Sequence, residues 1–207
     1  MNVFVLTTGR SGSLAFAEAC RHITNFSSGH ETRVGLLGDA RFAYPSDHIE
    51  VDDRLSWFLG RLDETWGDRA FYVHLRRNDE LTAASRVRRW NKPGMRAYRS
   101  GILWDVDPDI DRIEVARDLN RTVNSNIRFY LRDKTQVMTI EIESIAEAFP
   151  RFWERIGAEG DLDAALAEFG AGHHEGTSKR STPRPSNSGR MSRRWPLRRL
   201  PRLRRPR

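Results

Sequence analysis

Thr7-Thr8-Gly9-Arg10-Ser11-Gly12-Ser13 lies between an apolar run, Asn2 to Leu6, and a helical pattern that opens at Leu14. Backbone N–H groups in such a turn, aimed outward at a helix N-terminus, make a cradle for an anion. Gly9 and Gly12 allow close backbone approach. The Ser13 hydroxyl can donate, and Arg10 adds a fixed charge with forked donors. Thr8, Ser11 and the amide of Leu14 complete the expected contact set. An ordinary strand-to-helix turn is the plainer alternative.

Two other segments carry candidate chemistry. Arg77 stands at the edge of a second apolar run, Ala70 to Leu75, and Ser85 follows eight residues later, about two turns into the next helix. Crevices of open α/β sheets lie at the carboxyl ends of strands, so this pair is placed to clamp a second anionic group. A surface arginine and a small packing serine is the alternative. The segment Ser28-Gly29-His30-Glu31-Thr32-Arg33 offers two candidate general bases. Histidine titrates near neutrality, whereas Glu31 needs desolvation to rise toward it; an exposed polar loop explains either residue alone. His48 and Glu50 form a weaker cluster, and a capping role accounts for Asp52 or Asp53. His173 and His174 have no cysteine or acidic partner pattern, and no metal is expected.

The elements that must position these groups alternate. Asn2 to Leu6 reads as a buried parallel strand and the segment after the turn as a helix, with Phe16, Ala19, Cys20 and Ile23 in phase. An amphipathic helix is expected over Asp53 to Trp66, a strand over Ala70 to Leu75, and a helix from an Asn78 or Asp79 cap to about Trp90. Asn91 to Asp109 reads as a long loop, of a length that is uncommon unless functional, and is a candidate lid or acceptor-contact segment. A long helix over Ile110 to Leu131, a third strand in VMTIEI, and helices near Ile145–Ile156 and Leu162–Phe169 close the pattern. Strands alternating with helices imply a parallel sheet with right-handed crossovers, here an α/β three-layer fold of the P-loop NTPase-like kind.

The turn departs from the Walker pattern, because Gly12 stands where a lysine is required before Ser13. With Arg77 and Ser85 it instead resembles the sulfotransferase family. Members of that family bind 3′-phosphoadenosine 5′-phosphosulfate through a G-R-S-G-[ST] loop after the first strand, and Gly9-Arg10-Ser11-Gly12-Ser13 matches it, with Arg where many cytosolic members carry Lys. The family's 3′-phosphate site, an Arg at a strand end followed by a Ser eight residues on, is matched by Arg77 and Ser85. RRNDELTAAS is similar to the bacterial carbohydrate-type branch, and VMTIEIESIAEAFPRFWERIGAEG is similar to the family's closing strand and helices.

The resemblance covers roughly residues 1–170. It implies sulfuryl transfer to a hydroxyl or amine, with no metal. Glu31 then resembles the base of the carbohydrate branch, His30 offers the residue used by cytosolic members, and Arg10 would stabilise charge on the leaving phosphate. A kinase or ATPase sharing the opening strand–loop–helix is the alternative, but the missing lysine and the basic end of AFYVHLRR, where magnesium would want an acid, weigh against it.

Charge divides the chain. Residues 171–207 hold twelve of the 35 Lys and Arg and a single acid, Glu175, leaving 23 bases against 27 acids over residues 1–170. The expectation is a mildly acidic domain, 1–170, followed by a disordered Arg/Pro/Ser-rich tail, 171–207. Such a polycation suits non-specific binding of nucleic acid, anionic membrane or acidic polysaccharide, and a non-catalytic polyanion-binding protein would rest on it alone. A solubilising extension is the plainer reading. One cysteine, no signal-peptide pattern at the N-terminus and no membrane-length apolar stretch lead to a cytoplasmic expectation.

Overall fold

The structure, a computed structural model, describes residues 1–104 and 106–170; the polycationic tail lies outside them. Five parallel strands form one sheet: β1 (Val3–Thr7), β2 (Ser27–His30), β3 (His48–Val51), β4 (Phe71–Arg76) and β5 (Val137–Glu141), in the order β2-β3-β1-β4-β5. β1 is central and fully buried, with Val5 opposite Val51 on one side and Val73 on the other. A strand buried on both faces needs an unbroken apolar run, and Val3 to Leu6 supplies one.

Side chains alternate across the sheet and sort into two cores. Val3, Val5, Val73 and Leu75 meet Phe16 of α1 (Ser13–Cys20), Phe149 and Phe152 of α6 (Ile145–Ile156) and Ala165 of α7 (Leu162–Gly170). On the other face Phe4, Leu6 and Tyr72 meet Leu62 of α2 (Leu59–Thr65), Ala83 of α3 (Asp79–Val87) and Val115, Leu119 and Val123 of α5 (Arg112–Leu131). The architecture is thus the three-layer α/β arrangement expected.

Several element expectations are corrected. The polar segment around Glu31 is not loop throughout, because Ser27–His30 forms the edge strand β2. That strand has almost no apolar content and is held by its pairing with β3. β3 itself alternates His48, Ile49, Glu50, Val51, a period of two in which every residue is buried. The helix expected over 53–66 is a 3-10 turn, Asp53–Trp57, followed by α2, with Phe58 leaving helical geometry between them (φ −126, ψ 29). The long loop after residue 90 contains α4 (Pro93–Ala97), whose proline sits at the helix start, and a wide turn over Tyr98–Ile102; buried Met95 and Tyr98 anchor both. Among the described residues, no helix is long and apolar enough to cross a membrane.

Candidate functional site

Every strand delivers its carboxyl end to one side of the sheet, and the candidate residues sit there. Order in the sheet reverses around β1, since β2 and β3 lie to one side and β4 and β5 to the other. Crevices form at such switch points.

The turn after β1 is built from left-handed residues: Gly9 (φ 78), Arg10 (φ 65) and Gly12 (φ 81). This region costs an L-residue energy and turns successive amides toward one side. Buried hydroxyls brace it from below. Thr7 and Ser11 share a hydrogen bond of 2.6 Å, Thr8 Oγ1 donates to Gly9 O at 3.1 Å, and Ser56 Oγ donates to Thr7 O at 3.1 Å. Ser11 is therefore committed to the scaffold and fully buried. Ser13 and Leu14 open α1, where the first N–H groups have no intrahelical acceptor. Gly12 is close-packed on the far side, since a Cβ there would come within 2.8 Å of Ile142 Cδ1.

Arg77 follows β4 directly. Its Nη1 donates to Arg10 O at 3.2 Å, so the guanidinium faces the glycine turn. Gly12, Arg77, Leu81 and Ile142 line one cavity of about 390 Å³. Ser85 goes to a different partner than its expected pairing with Arg77. Its Oγ is nearly buried and accepts from Arg10 Nε at 3.1 Å. Partial burial and the guanidiniums of Arg89, Arg77 and Arg88 pull Arg10 below the usual arginine range. Cations crowded this way repel one another and favour an anion among them.

On the other flank, His30 ends β2 and its Nε2 lies 3.2 Å from Ser13 Oγ, joining a candidate base to the turn. Glu31 follows in the left-handed region (φ 53). Its conformation is fixed by Glu50, fully buried on β3, which accepts from Thr32 N and Thr32 Oγ1, both at 2.7 Å, and pairs with His48 Nε2 at 3.0 Å. The weaker His48–Glu50 cluster therefore acts as the support of the Glu31 turn. The Glu31 carboxylate meets Arg54 Nη1 at 2.5 Å.

Asp52 caps the 3-10 turn by accepting from Arg54 N, as a capping role requires, and also bonds the buried Arg41 guanidinium. Asp53 is the group that reading as a cap missed. Its Oδ2 packs on the glycine turn so closely that a Cβ on Gly9 would lie 2.3 Å away. Burial first, then the charge of Glu31, pushes the Asp53 carboxyl up to about 6. The carboxylates of Glu31, Asp52 and Asp53 come within 4.8 Å of one another, the one such grouping of metal-capable donors among the described residues, and Arg41 and Arg54 already neutralise them.

No family model matches the sequence, and no curated protein does. Solved structures match in shape. Mouse sulfotransferase SULT7A1 complexed with PAP superposes with a TM-score of 0.55 at 13% identity over 81% of this chain and 62% of that one. The sulfotransferase domain from the curacin biosynthetic pathway gives a TM-score of 0.57, also at 13% identity, over 79% of this chain and 75% of that one. The chain has the sulfotransferase fold.

It spans 62% of the mouse protein's length, and at this identity the likeness carries the architecture alone. On this sulfotransferase fold the sequence-expected residues fall into two groups. Thr8 to Leu14, Arg77 and Ser85 converge around the glycine turn, and His30 and Glu31 stand on its β2 side. Sequence reasoning assigned Asp53 no role beyond capping and missed Arg86, whose buried guanidinium reaches the carbonyl of Thr8. One signal for Arg86 was available: an arginine directly after Ser85 on a helix that packs against α5.

Proposed function

We propose that the protein is a sulfotransferase, using 3′-phosphoadenosine 5′-phosphosulfate as donor and a hydroxyl or amine as acceptor. The observation that carries this reading is the convergence of Arg77 on the glycine turn, with Nη1 3.2 Å from Arg10 O and a shared cavity between them. A donor with phosphates at two ends needs two anion-binding pieces of backbone facing one cleft. The crowded guanidiniums of Arg10, Arg77, Arg88 and Arg89 fit such a polyanion.

In this reading the amides from Arg10 to Leu14, with Ser13 and Arg10, hold the 5′-phosphate end, and Arg77 holds the 3′-phosphate. Ser85 contributes by orienting Arg10. The donor supplies an activated sulfuryl group bonded through oxygen to its 5′-phosphate. Glu31 accepts the proton of the attacking hydroxyl or amine, and His30, already at Ser13, is the second candidate. The turn amides and Arg10 stabilise charge gathering on the leaving phosphate oxygen, so the protein works by positioning and preorganised charge. The likeness of RRNDELTAAS to the carbohydrate-type branch makes a sugar hydroxyl the first acceptor to try. The loop of α4 and the wide turn after it is the segment proposed to contact that acceptor.

The test compares ligands by thermal shift and calorimetry. Adenosine 3′,5′-bisphosphate should stabilise the protein far more than ATP does, and labelled-sulfate transfer should appear in a screen across sugars, phenols and amines. Equal stabilisation by ATP would favour a kinase. Loss of all ligand binding on removal of residues 171–207 would favour a polyanion-binding protein acting through its tail.

A further inference from the structure

Arg86 is one residue beyond Ser85 on α3, and it points at the same turn from beneath. It is 8% exposed. Its Nη2 donates to the carbonyl of Thr8, and its Nε donates to Asn120 Oδ1 of α5 at 2.7 Å. Asn120 in turn donates to the backbone of Asp79 at 3.4 Å. The guanidinium is therefore held at two points and cannot swing away.

Both of its bonded partners are neutral oxygens. Among the described residues no carboxylate lies within ion-pairing distance of it: Asp53, which attracts it from farther off, is paired with Arg54 instead. Burial is the main cause pulling this arginine down to about 10, and Arg10 pulls the same way. A buried charge without a counter-charge is costly, and proteins retain one only where something else compensates it. The guanidinium is bonded to the Thr8 carbonyl of the glycine turn and feels the charge of Arg10 on it, so its field acts at that turn.

We infer that Arg86 is a further binding determinant of the anion site, a positioning residue that tethers Thr8 and whose buried charge is balanced by the phosphosulfate end of the donor. This rests on the proposed sulfotransferase reading and extends it. The carbonyl of Thr8 is drawn toward α3 by Arg86, Gly9 N donates back to Thr7 Oγ1 at 3.3 Å, and Gly9 and Arg10 are held in the left-handed region that shapes the cradle. One side chain thus supplies both the shape of the cradle and part of its potential. Arg10 and Arg77 act from the rim, in reach of solvent, whereas Arg86 acts through a dry layer where screening by salt is weak.

The experiment uses the full chain and calorimetry with two anionic probes, adenosine 3′,5′-bisphosphate and pyrophosphate, and adenosine as the uncharged reference, at several salt concentrations, on the wild type and on Arg86→Met, Arg86→Lys and Asn120→Ala. Arg86→Met keeps much of the volume and removes the charge; affinity for both probes should fall about 10- to 100-fold, with no loss of affinity for adenosine. Arg86→Lys should recover part of the loss, and Asn120→Ala, which keeps the charge and frees the tether, should weaken binding less than Arg86→Met. If Arg86→Met does not fold, Arg86→Lys and Asn120→Ala still decide, because retained charge must then retain most of the affinity. Affinities within twofold of wild type in Arg86→Met, or equal losses for adenosine and the bisphosphate, would overturn the inference and leave a structural arginine. If the wild type bound pyrophosphate in an Arg86-dependent way but not the bisphosphate, the anion site would stand and the donor assignment would fall.

Discussion

Arg10 and Ser85 meet across 75 residues of sequence, with the arginine Nε donating to the serine hydroxyl at 3.1 Å. Arg10 sits in the left-handed region (φ 65), and the Ser85 hydroxyl fixes the direction of its side chain. Removing the hydroxyl frees a rim cation without removing it. Ser85→Ala should therefore weaken adenosine 3′,5′-bisphosphate by roughly 2- to 10-fold, the worth of one hydrogen bond, while leaving the melting temperature almost unchanged. Calorimetry beside a thermal melt checks both. A melting temperature that falls sharply, with affinity intact, would mean that Ser85 serves packing alone.

Arg77 discriminates between ligands. Its Nη1 donates to Arg10 O at 3.2 Å, and it lines one cavity with Gly12 of the turn, Ala15 of α1 and Leu81 of α3. Arg77→Ala should cost the bisphosphate tenfold or more, a charge-assisted contact being worth about 1.5–3 kcal/mol. Adenosine 5′-monophosphate should bind the variant nearly as well as the wild type. Parallel losses for the two nucleotides would remove the 3′-phosphate assignment.

Glu31 and His30 are separable as bases because their partners differ. Glu31 is tied to Arg54 at 2.5 Å and His30 to Ser13 at 3.2 Å. Glu31→Gln keeps the shape and loses the proton acceptor. Turnover with an acceptor from the sulfate screen should drop by about 10²–10⁴-fold, the usual worth of general-base catalysis, with donor affinity within a few-fold of wild type. Full activity in Glu31→Gln, together with its loss in His30→Ala, would transfer the role to His30.

Gly9 is demanded twice, by a φ of 78 and by the Asp53 oxygen that a Cβ would approach to 2.3 Å. Gly9→Ala should destabilise the fold by about 1–3 kcal/mol, as strained backbone does, and abolish bisphosphate binding even in the population that stays folded. Denaturant unfolding with and without ligand separates the two effects. Gly60, around which a Cβ meets open space, supplies the control: Gly60→Ala should bind normally.

What could be read from residues alone divides along physical lines. β1 and β4 declare themselves because a central parallel strand must be apolar on both faces, and the glycine turn because left-handed backbone selects glycine. β2 could not be read: Ser27-Ser28-Gly29-His30 has the composition of a loop, and it is a strand only because β3 offers it an edge. β3 was legible in principle through Ile49 and Val51, but its other face buries His48 and Glu50, polar groups that hydrogen-bond each other and, through Glu50, Thr32 rather than solvent. Asp53 illustrates the same limit at the site. A carboxylate before an amphipathic stretch reads as a cap; its contact with Gly9 arises from the pairing of β1 with β3, a tertiary fact without a local pattern.

Asp53 also gives the fold a pH dependence whose sign can be worked out. Its folded carboxyl is pushed up to about 6 from an ordinary 3.8, by burial first and by Glu31 second, with Arg54 opposing and Asp52 adding to the repulsion. A raised carboxyl means that the folded chain keeps its proton where the unfolded chain has lost it. Ionisation therefore costs stability, with no cost below about 4, a growing one as pH rises through 6, and a constant one above. Asp53→Asn removes the ionisation, so the variant should gain on the wild type across that window and hold the gain at neutral pH. With its side chain 32% exposed, water screens part of the effect, leaving on the order of 1–2 kcal/mol. Removing a negative charge beside an anion cradle should also tighten bisphosphate binding above pH 6 while leaving it unchanged below pH 4. Denaturant unfolding from pH 4 to 8, paired with calorimetry at the two ends, tests both statements. A stability difference that stays flat across the window would mean that Asp53 does not titrate there.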